Sequence, residues 1–252
     1  MPRRSPAARV STASSVLCID IGGSHVKAAV VAPDGTVRGE SVKVETPVGE
    51  GPAALIEAIV KLVEPLERAP HVAIGFPGAL RDDLVLTAPN LGGVWQRVPL
   101  PKLLSERLGR PVRMANDAAV QGLGAISGKG LECAITLGTG MGFAVFRDGE
   151  PGVQFELGRH TAHKNKTYDE YVGDKALGKK GRQRWNRRVQ KVIDKLRALV
   201  NFDVLYIGGG NARLVDFPLP ADVHLVSNET GILGGVRLWN GFPESGPKAE
   251  QA

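Results

Sequence analysis

"CIDIGGSHVKAAVV", residues 18–31, joins two apolar, β-forming runs through Gly22-Gly23-Ser24. The first run ends beside a lone carboxylate, Asp20, and the second carries a lysine, Lys27. A dinucleotide-binding fingerprint needs G-x-G-x-x-G opening a helix, and neither that spacing nor the β-rich continuation fits. A tight hairpin does fit, because glycine supplies the positive φ that such a turn demands. Hairpins are common and require no function. The company of Asp20, Ser24 and Lys27 adds a second meaning, since these groups together suit a metal and phosphate oxygens.

The same layout returns 116 residues later. In "CAITLGTGMGFAVF", residues 133–146, Ile135, Gly138, Ala144 and Phe146 stand where Ile19, Gly22, Ala28 and Val30 stand in the first copy. Each copy is a strand, a Gly/hydroxyl bend and a second strand, with an Asp-Gly pair soon after. Two copies predict a duplicated βββαβα-type unit whose glycine bends face one cleft; chance similarity between two Gly-rich hairpins is the alternative. Backbone N–H groups at both bends would meet a phosphate chain from either side.

The bulk numbers set the frame. A chain of 252 residues with 42% hydrophobic and 23% charged residues is that of a globular protein with a large core, in one large domain or two modest ones. The opening MPRRSPAARVSTASS has no apolar run after its Arg pair and reads as a disordered tail, not a signal peptide. No segment approaches the roughly 18 apolar residues of a membrane span. Cys18 and Cys133 sit inside apolar runs and read as buried free thiols, which suits a cytoplasmic protein and leaves no thiolate set for zinc. The net charge of +6 is uneven: residues 159–200 hold thirteen Lys/Arg against four Asp/Glu, so this segment alone carries the excess. Such a local imbalance suggests a polyanion partner.

Along the chain, strands are expected at Val16–Ile21, 26–32 and Val37–Glu45, then a helix at 52–68 with Leu55, Ile56, Ile59, Leu62, Val63 and Leu66 on one face. "HVAIGF" reads as a buried strand stopped by Pro77-Gly78. A loop with Pro89-Asn90 and Trp95 follows, then a short helix at 101–108 and the strand "PVRMA". Asn116-Asp117 opens a helix, "DAAVQGLGAI". After the second hairpin come Glu156-Leu157-Gly158, the amphipathic helix Arg182–Val200, and "VLYIGGGNARLV", in which Asn211 can cap a helix. A Gly-interrupted helix, "ETGILGGVRLW", and a loose tail close the chain.

The motifs DIGGSHVK, GFPG, APNL, ND, LGTGMG, ELG and IGGGNA, in this order, resemble the ROK sugar-kinase family within the actin-like ATPase superfamily. The likeness covers nearly all of residues 16–239 and is strongest to the polyphosphate glucokinase branch, which lacks the zinc-binding cysteine cluster of many ROK proteins. It implies an α/β fold of two ribonuclease H-like domains around a central cleft. The expected division is a tail at 1–15, a first domain at 16–115 with the 229–242 helix packed on it, a second domain at 116–228, and a tail at 243–252. Asp20, Gly22, Gly23, Ser24 and Lys27 would hold phosphate and Mg²⁺, with Asp20 as the metal ligand. Gly138, Thr139, Gly140 and Gly142 would form the second phosphate loop, and Gly208, Gly209 and Gly210 match the glycines where ATP-using relatives seat adenosine. Gly78, Asn90, Asn116, Asp117 and Glu156 match the family's sugar contacts. The family pattern continues ELGH, whereas here Arg159 occupies the His position and His160 follows one step later, which puts sugar selectivity in question.

Phosphoryl transfer is mostly positioning and charge neutralisation, with one group to orient the attacking oxygen and take its proton. Asp117 is expected in that role. Each of these residues also has a plain reading: "ND" before a helix is usually a cap, Asn90 after Pro89 is turn chemistry, and Glu156 is a surface carboxylate. The expected activity is transfer from polyphosphate, ATP or both to the 6-hydroxyl of glucose, by a cytoplasmic homodimer with Mg²⁺. An ATP-only kinase for mannose or fructose, and a non-catalytic sugar-binding regulator, are the alternatives. A nucleic-acid binder is disfavoured because Trp185, the aromatic within the basic helix, lies on its apolar face. Arg184, Arg187, Arg188, Lys191, Lys195 and Arg197 fall on the other faces of that helix and are expected to form a track for polyphosphate.

Overall fold

The computed structural model describes residues 14–227 and 230–240; the tails expected at either end fall outside them apart from Ser14 and Ser15, as does Glu229 at the start of the last expected helix. The order of elements is β1 (Val16–Ile21), β2 (His25–Val31), β3 (Val37–Glu45), α1 (Gly51–Val63), β4 (His71–Phe76), β5 (Ala79–Arg81), β6 (Leu84–Thr87), α2 (Leu100–Leu108), β7 (Val112–Asn116) and α3 (Asp117–Ala125). There follow β8 (Leu131–Leu137), β9 (Met141–Arg147), β10 (Glu150–Pro151), β11 (Thr161–His163), β12 (Lys166–Thr167), α4 (Tyr168–Val172), α5 (Asp174–Lys180), α6 (Arg182–Val200), β13 (Val204–Gly208), β14 (Val223–Leu225) and α7 (Thr230–Asn240).

Two five-stranded sheets have matching orders, β3-β2-β1-β4-β7 and β10-β9-β8-β13-β14. In each, three strands form an antiparallel meander and two more join in parallel. The hairpins β1–β2 and β8–β9 occupy the same place in the two sheets, so the internal repeat in the sequence is a repeat of topology.

Both faces of the central strands are covered, which is why they read as nearly continuous apolar runs. Leu17, Ile19 and Ile21 of β1 face Leu55, Ile59, Leu100 and Leu104 of α1 and α2, while Val16 and Cys18 face Val236 of α7. In the second sheet Cys133, Ile135 and Leu137 meet Trp185, Val189, Val192, Ile193 and Leu196 of α6. Trp185 is fully buried and its indole N–H donates to Val172 O at 2.7 Å, so Trp185→Ala would cost about 3–5 kcal/mol. The other face packs Ala134, Ala144 and Phe146 against Ala118, Leu123 and Ile126, within α3 or just after it.

The two sheets therefore exchange helices. The helix that follows the first sheet, α3, packs on the second, and α7, which follows the second, packs on the first. Where they cross, a Cβ added to Gly234 would lie 1.7 Å from Val120 O, so only glycine admits the approach.

Three local differences from the sequence reading have simple causes. Helix α1 ends at Val63 instead of running to residue 68, because Pro65 cannot donate to the helical ladder and its ring collides with the preceding turn. The stretch read as loop after Gly78 contains the hairpin β5–β6, whose turn places both Asp82 and Asp83 at positive φ, 51° and 63°. Asn211 precedes a short 3-10 turn but makes no side-chain cap; its amide instead donates to Asp174 Oδ1 at 2.6 Å and Gly138 O at 3.4 Å.

Candidate active site

Strand register builds the centre of the site. Asp20 pairs across β1–β2 with Lys27 and across β1–β4 with Gly75. Paired residues share one face of a sheet, so a side chain at position 75 would stand between Asp20 and what lies beyond. A Cβ there would be 3.6 Å from Asp20 Oδ1 and 3.7 Å from Asp117 Cα. Glycine keeps the space between these two carboxyl-bearing residues open. An isolated glycine inside a strand pattern was the available signal, and the sequence reading had passed over it.

The Asn116-Asp117 pair divides its duties. Asn116 is the N-cap of α3, accepting from Ala118 N–H at 3.0 Å, and its amide donates to Gly78 O at 3.2 Å. Asp117 is the first helical residue, and its Oδ1 also accepts from Ala118 N–H, at 2.8 Å. Burial pushes the Asp117 carboxyl up to about 7; the Ala118 hydrogen bond opposes this, while the charges of Asp20 and Glu156 add to it. Desolvation and like charge outweigh the backbone hydrogen bonding. The Asp20 side chain opens to the cleft, yet the surrounding walls strip enough water from it to raise its carboxyl, against the pull of Lys27. Asp20, Asp117 and Glu156 thus share one electrostatic environment.

Glu156 is exposed and receives a hydrogen bond from Gln154 Nε2 at 2.8 Å. The sequence reading had missed Gln154. Arg159 and His160 lie at the end of a 3-10 turn, Leu157–Arg159, and both are exposed. Asn90 is exposed and neighbours Gly23, 3.7 Å from where its Cβ would be, which puts it beside the first glycine bend.

Both bends present unused N–H groups. In the first, Gly22 N–H donates to His25 O, and Thr46 clamps the turn by donating from Oγ1 to Gly22 O at 2.7 Å and from N–H to Ser24 O at 3.0 Å. In the second, Gly138 N–H reaches Gly140 O, Gly142 N–H reaches Thr136 Oγ1, and Met141 N–H reaches Asp169 Oδ1 at 2.7 Å. Among the described residues the N–H groups of Gly23, Ser24, Thr139 and Gly140 donate to no protein acceptor. Two consecutive N–H groups at each bend are thus left available to an outside acceptor such as an anion.

Asp169, another residue missed, explains two motif glycines. A Cβ on Gly140 or on Gly158 would lie 2.4 or 2.5 Å from Asp169 Oδ1, so both must be bare for the carboxylate to reach Met141 N–H. The sequence did signal this helix start, through the capping box of Thr167 and Glu170. Gly208 ends β13 and Gly209 and Gly210 follow it; a Cβ on Gly209 would lie 2.5 Å from Leu137 N, just before the second bend, and Gly210 stands open.

Among the described residues, no group of three or more His, Cys, Asp or Glu gathers as a metal site. The Asp20 side chain makes no hydrogen bond within the described residues, and it lies just before the first bend, with its free N–H groups. One carboxylate plus phosphate oxygens and water is a donor set that suits Mg²⁺, which keeps its waters and is seldom caged by protein alone.

The basic helix is less free than its composition suggests. Arg188 donates to Tyr171 O at 3.0 Å and lies over that ring, Lys195 donates to Ala162 O at 2.7 Å, and Arg197 pairs with Asp222. Arg184, Arg187 and Lys191 remain exposed. Helix α5 adds Lys175 and Lys179, also exposed, and begins where Asp174 N–H donates to Gly138 O at 2.9 Å.

Comparison with known proteins places the family and the fold. The chain is 27% identical over 253 residues to a polyphosphate glucokinase of Mycobacterium leprae, covering 92% of this chain and 78% of that protein. It is 37% identical over 145 residues to an N-acetylmannosamine kinase of Escherichia fergusonii, covering 54% of this chain and 48% of that one. Its fold superposes on the inorganic polyphosphate/ATP-glucomannokinase of Arthrobacter sp. strain KM with a TM-score of 0.77 at 28% identity, covering 88% of this chain and 97% of that one. The fold is that of the actin-like ATPases, two α/β domains around a cleft. With the family profile matching residues 16–175, the chain belongs to the ROK family.

Proposed function

We propose that the protein is a hexose kinase of the polyphosphate glucokinase type, transferring a phosphoryl group from polyphosphate, ATP or both to the 6-hydroxyl of glucose. One observation carries the reading: Asp117, its carboxyl raised to about 7, lies across the Gly75 gap from Asp20, the carboxylate at the first anion-binding bend. A general base with a pKa near working pH is well matched to proton transfer. The 6-hydroxyl oxygen attacks the terminal phosphorus as the bond to the donor's bridging oxygen breaks, and the hydroxyl proton passes to the Asp117 carboxylate. The N–H groups of Gly23, Ser24, Thr139 and Gly140, with Lys27, would receive the charge on the phosphate oxygens. Mg²⁺, held by Asp20, would supply further neutralisation of that charge. Glu156 and Asn90 would bind sugar hydroxyls, with His160 reaching in beside Arg159. Gly78, whose N–H and carbonyl are already engaged by Phe76, Asn116 and Gln154, would shape the wall of the sugar site and not contact a hydroxyl, and Asn116 would fix that loop. The family resemblance supports a cytoplasmic homodimer that needs neither nucleic acid nor membrane.

The polyphosphate track is proposed in a form adjusted to the contacts. It runs from the second bend along Lys175 and Lys179 of α5 to Arg184, Arg187 and Lys191 of α6, omitting the three cations already engaged. Formation of glucose 6-phosphate with polyphosphate and with ATP tests the proposal. Mannose and N-acetylmannosamine serve as rival acceptors, since the second relative acts on the latter by name. Turnover of a rival alone would move the acceptor assignment, and no turnover with any hexose would favour a sugar-binding regulator.

A further inference from the structure

The carbonyl of Gly78 accepts two side-chain amides at once, Asn116 Nδ2 at 3.2 Å and Gln154 Nε2 at 3.0 Å. Gln154 spends its other N–H on Glu156 Oε1 at 2.8 Å, and its carbonyl accepts Leu80 N–H at 3.1 Å. Three hydrogen bonds therefore leave one primary amide. Gln154 follows β10 of the second sheet, whereas Gly78 lies between β4 and β5, and Leu80 within β5, on the segment that follows β4 of the first sheet. Asn116, the other donor to Gly78 O, immediately precedes Asp117.

The chemistry of the node selects an amide. Nε2 lies between two acceptors, a carbonyl and a carboxylate, so the group there must donate twice from one atom, and its neighbour atom must accept from Leu80 N–H. Glutamine meets both demands. Glutamate would set oxygen against oxygen, and lysine could not accept. Glu156 is exposed and has three side-chain torsions to restrain; a bond to an amide anchored at two backbone points restrains them before any ligand arrives.

We infer that Gln154 is a positioning residue, a clasp between the two domains that sets the Glu156 carboxylate against Asp117 for the acceptor sugar. This rests on the sugar-kinase reading above. It makes the Gly78 carbonyl a shared reference point for the residue that caps α3 and the residue that holds Glu156.

The test uses the full chain and the variants Gln154→Ala and Gln154→Glu, with two independent readouts. Amide hydrogen exchange at Leu80, followed without ligand, reads the clasp directly and needs no activity. Exchange at Leu80 should accelerate about tenfold or more in Gln154→Ala, while the Leu131–Leu137 strand stays protected. Steady-state kinetics with glucose read the positioning role: KM for glucose should rise about tenfold in Gln154→Ala and further in Gln154→Glu, with KM for the donor unchanged. Unchanged exchange at Leu80 overturns the clasp. Equal change in both KM values, or a rise in the donor's alone, overturns the positioning role. If wild-type protein phosphorylates no hexose, the functional reading fails, and Leu80 exchange alone decides whether the clasp exists.

Discussion

Asp117→Asn should inactivate the enzyme and stabilise it, and the stabilisation should depend on pH. The Asp117 carboxyl titrates at about 7 in the folded chain, against about 4 for an aspartate in an unfolded one. A raised acid binds its proton more tightly when folded, so its contribution to stability is complete below pH 4. It is lost as pH rises through 7 and flat above that. Between pH 5 and pH 8 two units of that shift are traversed, worth about 2.7 kcal/mol at 1.36 kcal/mol per unit. Asparagine has nearly the same shape, can still accept from Ala118 N–H, and does not titrate, so the variant escapes this loss. For a chain of this length the Tm of Asp117→Asn relative to wild type should grow by roughly 5–11 °C between pH 5 and pH 8. Over the same comparison kcat should fall about 10²–10⁴-fold, and wild-type kcat/KM should rise with pH through an apparent pKa near 7. Differential scanning calorimetry at the two pH values, without substrates, is the assay. A Tm difference that ignores pH would refute the burial argument, and near-normal turnover in the variant would return Asp117 to a purely local role at the start of α3.

Three further outcomes are expected. Asp20→Ala should abolish turnover while leaving glucose affinity by calorimetry within about twofold, because it removes a charge from the donor side only; equal loss of glucose binding would assign Asp20 to the fold. Asp169→Ala should free Met141 N–H and loosen the second bend, raising KM for the donor about tenfold with KM for glucose unchanged; a change confined to glucose would contradict the assignment. Replacing Arg184, Arg187 and Lys191 together by Ala should raise KM for long polyphosphate and flatten its salt dependence while KM for ATP hardly moves. Equal effects on both donors, or none, would leave that face as solvated surface.

Much of this protein could be read in one dimension. Periodicity placed α6 at its observed bounds, and β-branched runs between glycines placed β1, β3 and β4, because each element is decided by which face it buries. The spacing between the two glycine hairpins announced matching sheets, since a repeated pattern of strand, bend and strand has few ways to pair. Asp20, Asp117 and Glu156 could be singled out through the order of motifs they belong to, and the folded chain places the charges of Asp20 and Glu156 where they act on Asp117. Contacts between distant segments were not legible in the same way. Gly75 matters through a strand register that joins β1 to β4, and Asp169 through a bond to Met141 28 positions away. Gln154 touches Gly78, 76 positions away. The helix exchange between α3 and α7 likewise depends on a crossing that Gly234 permits. On α6, sequence counted six cations as equivalent, and only tertiary structure showed that Arg188, Lys195 and Arg197 are engaged by Tyr171, Ala162 and Asp222. The physical reason is range: propensity and periodicity act over a few residues along the chain, whereas a hydrogen bond or a steric limit acts over a few ångströms through space, between residues that only the folded backbone brings together.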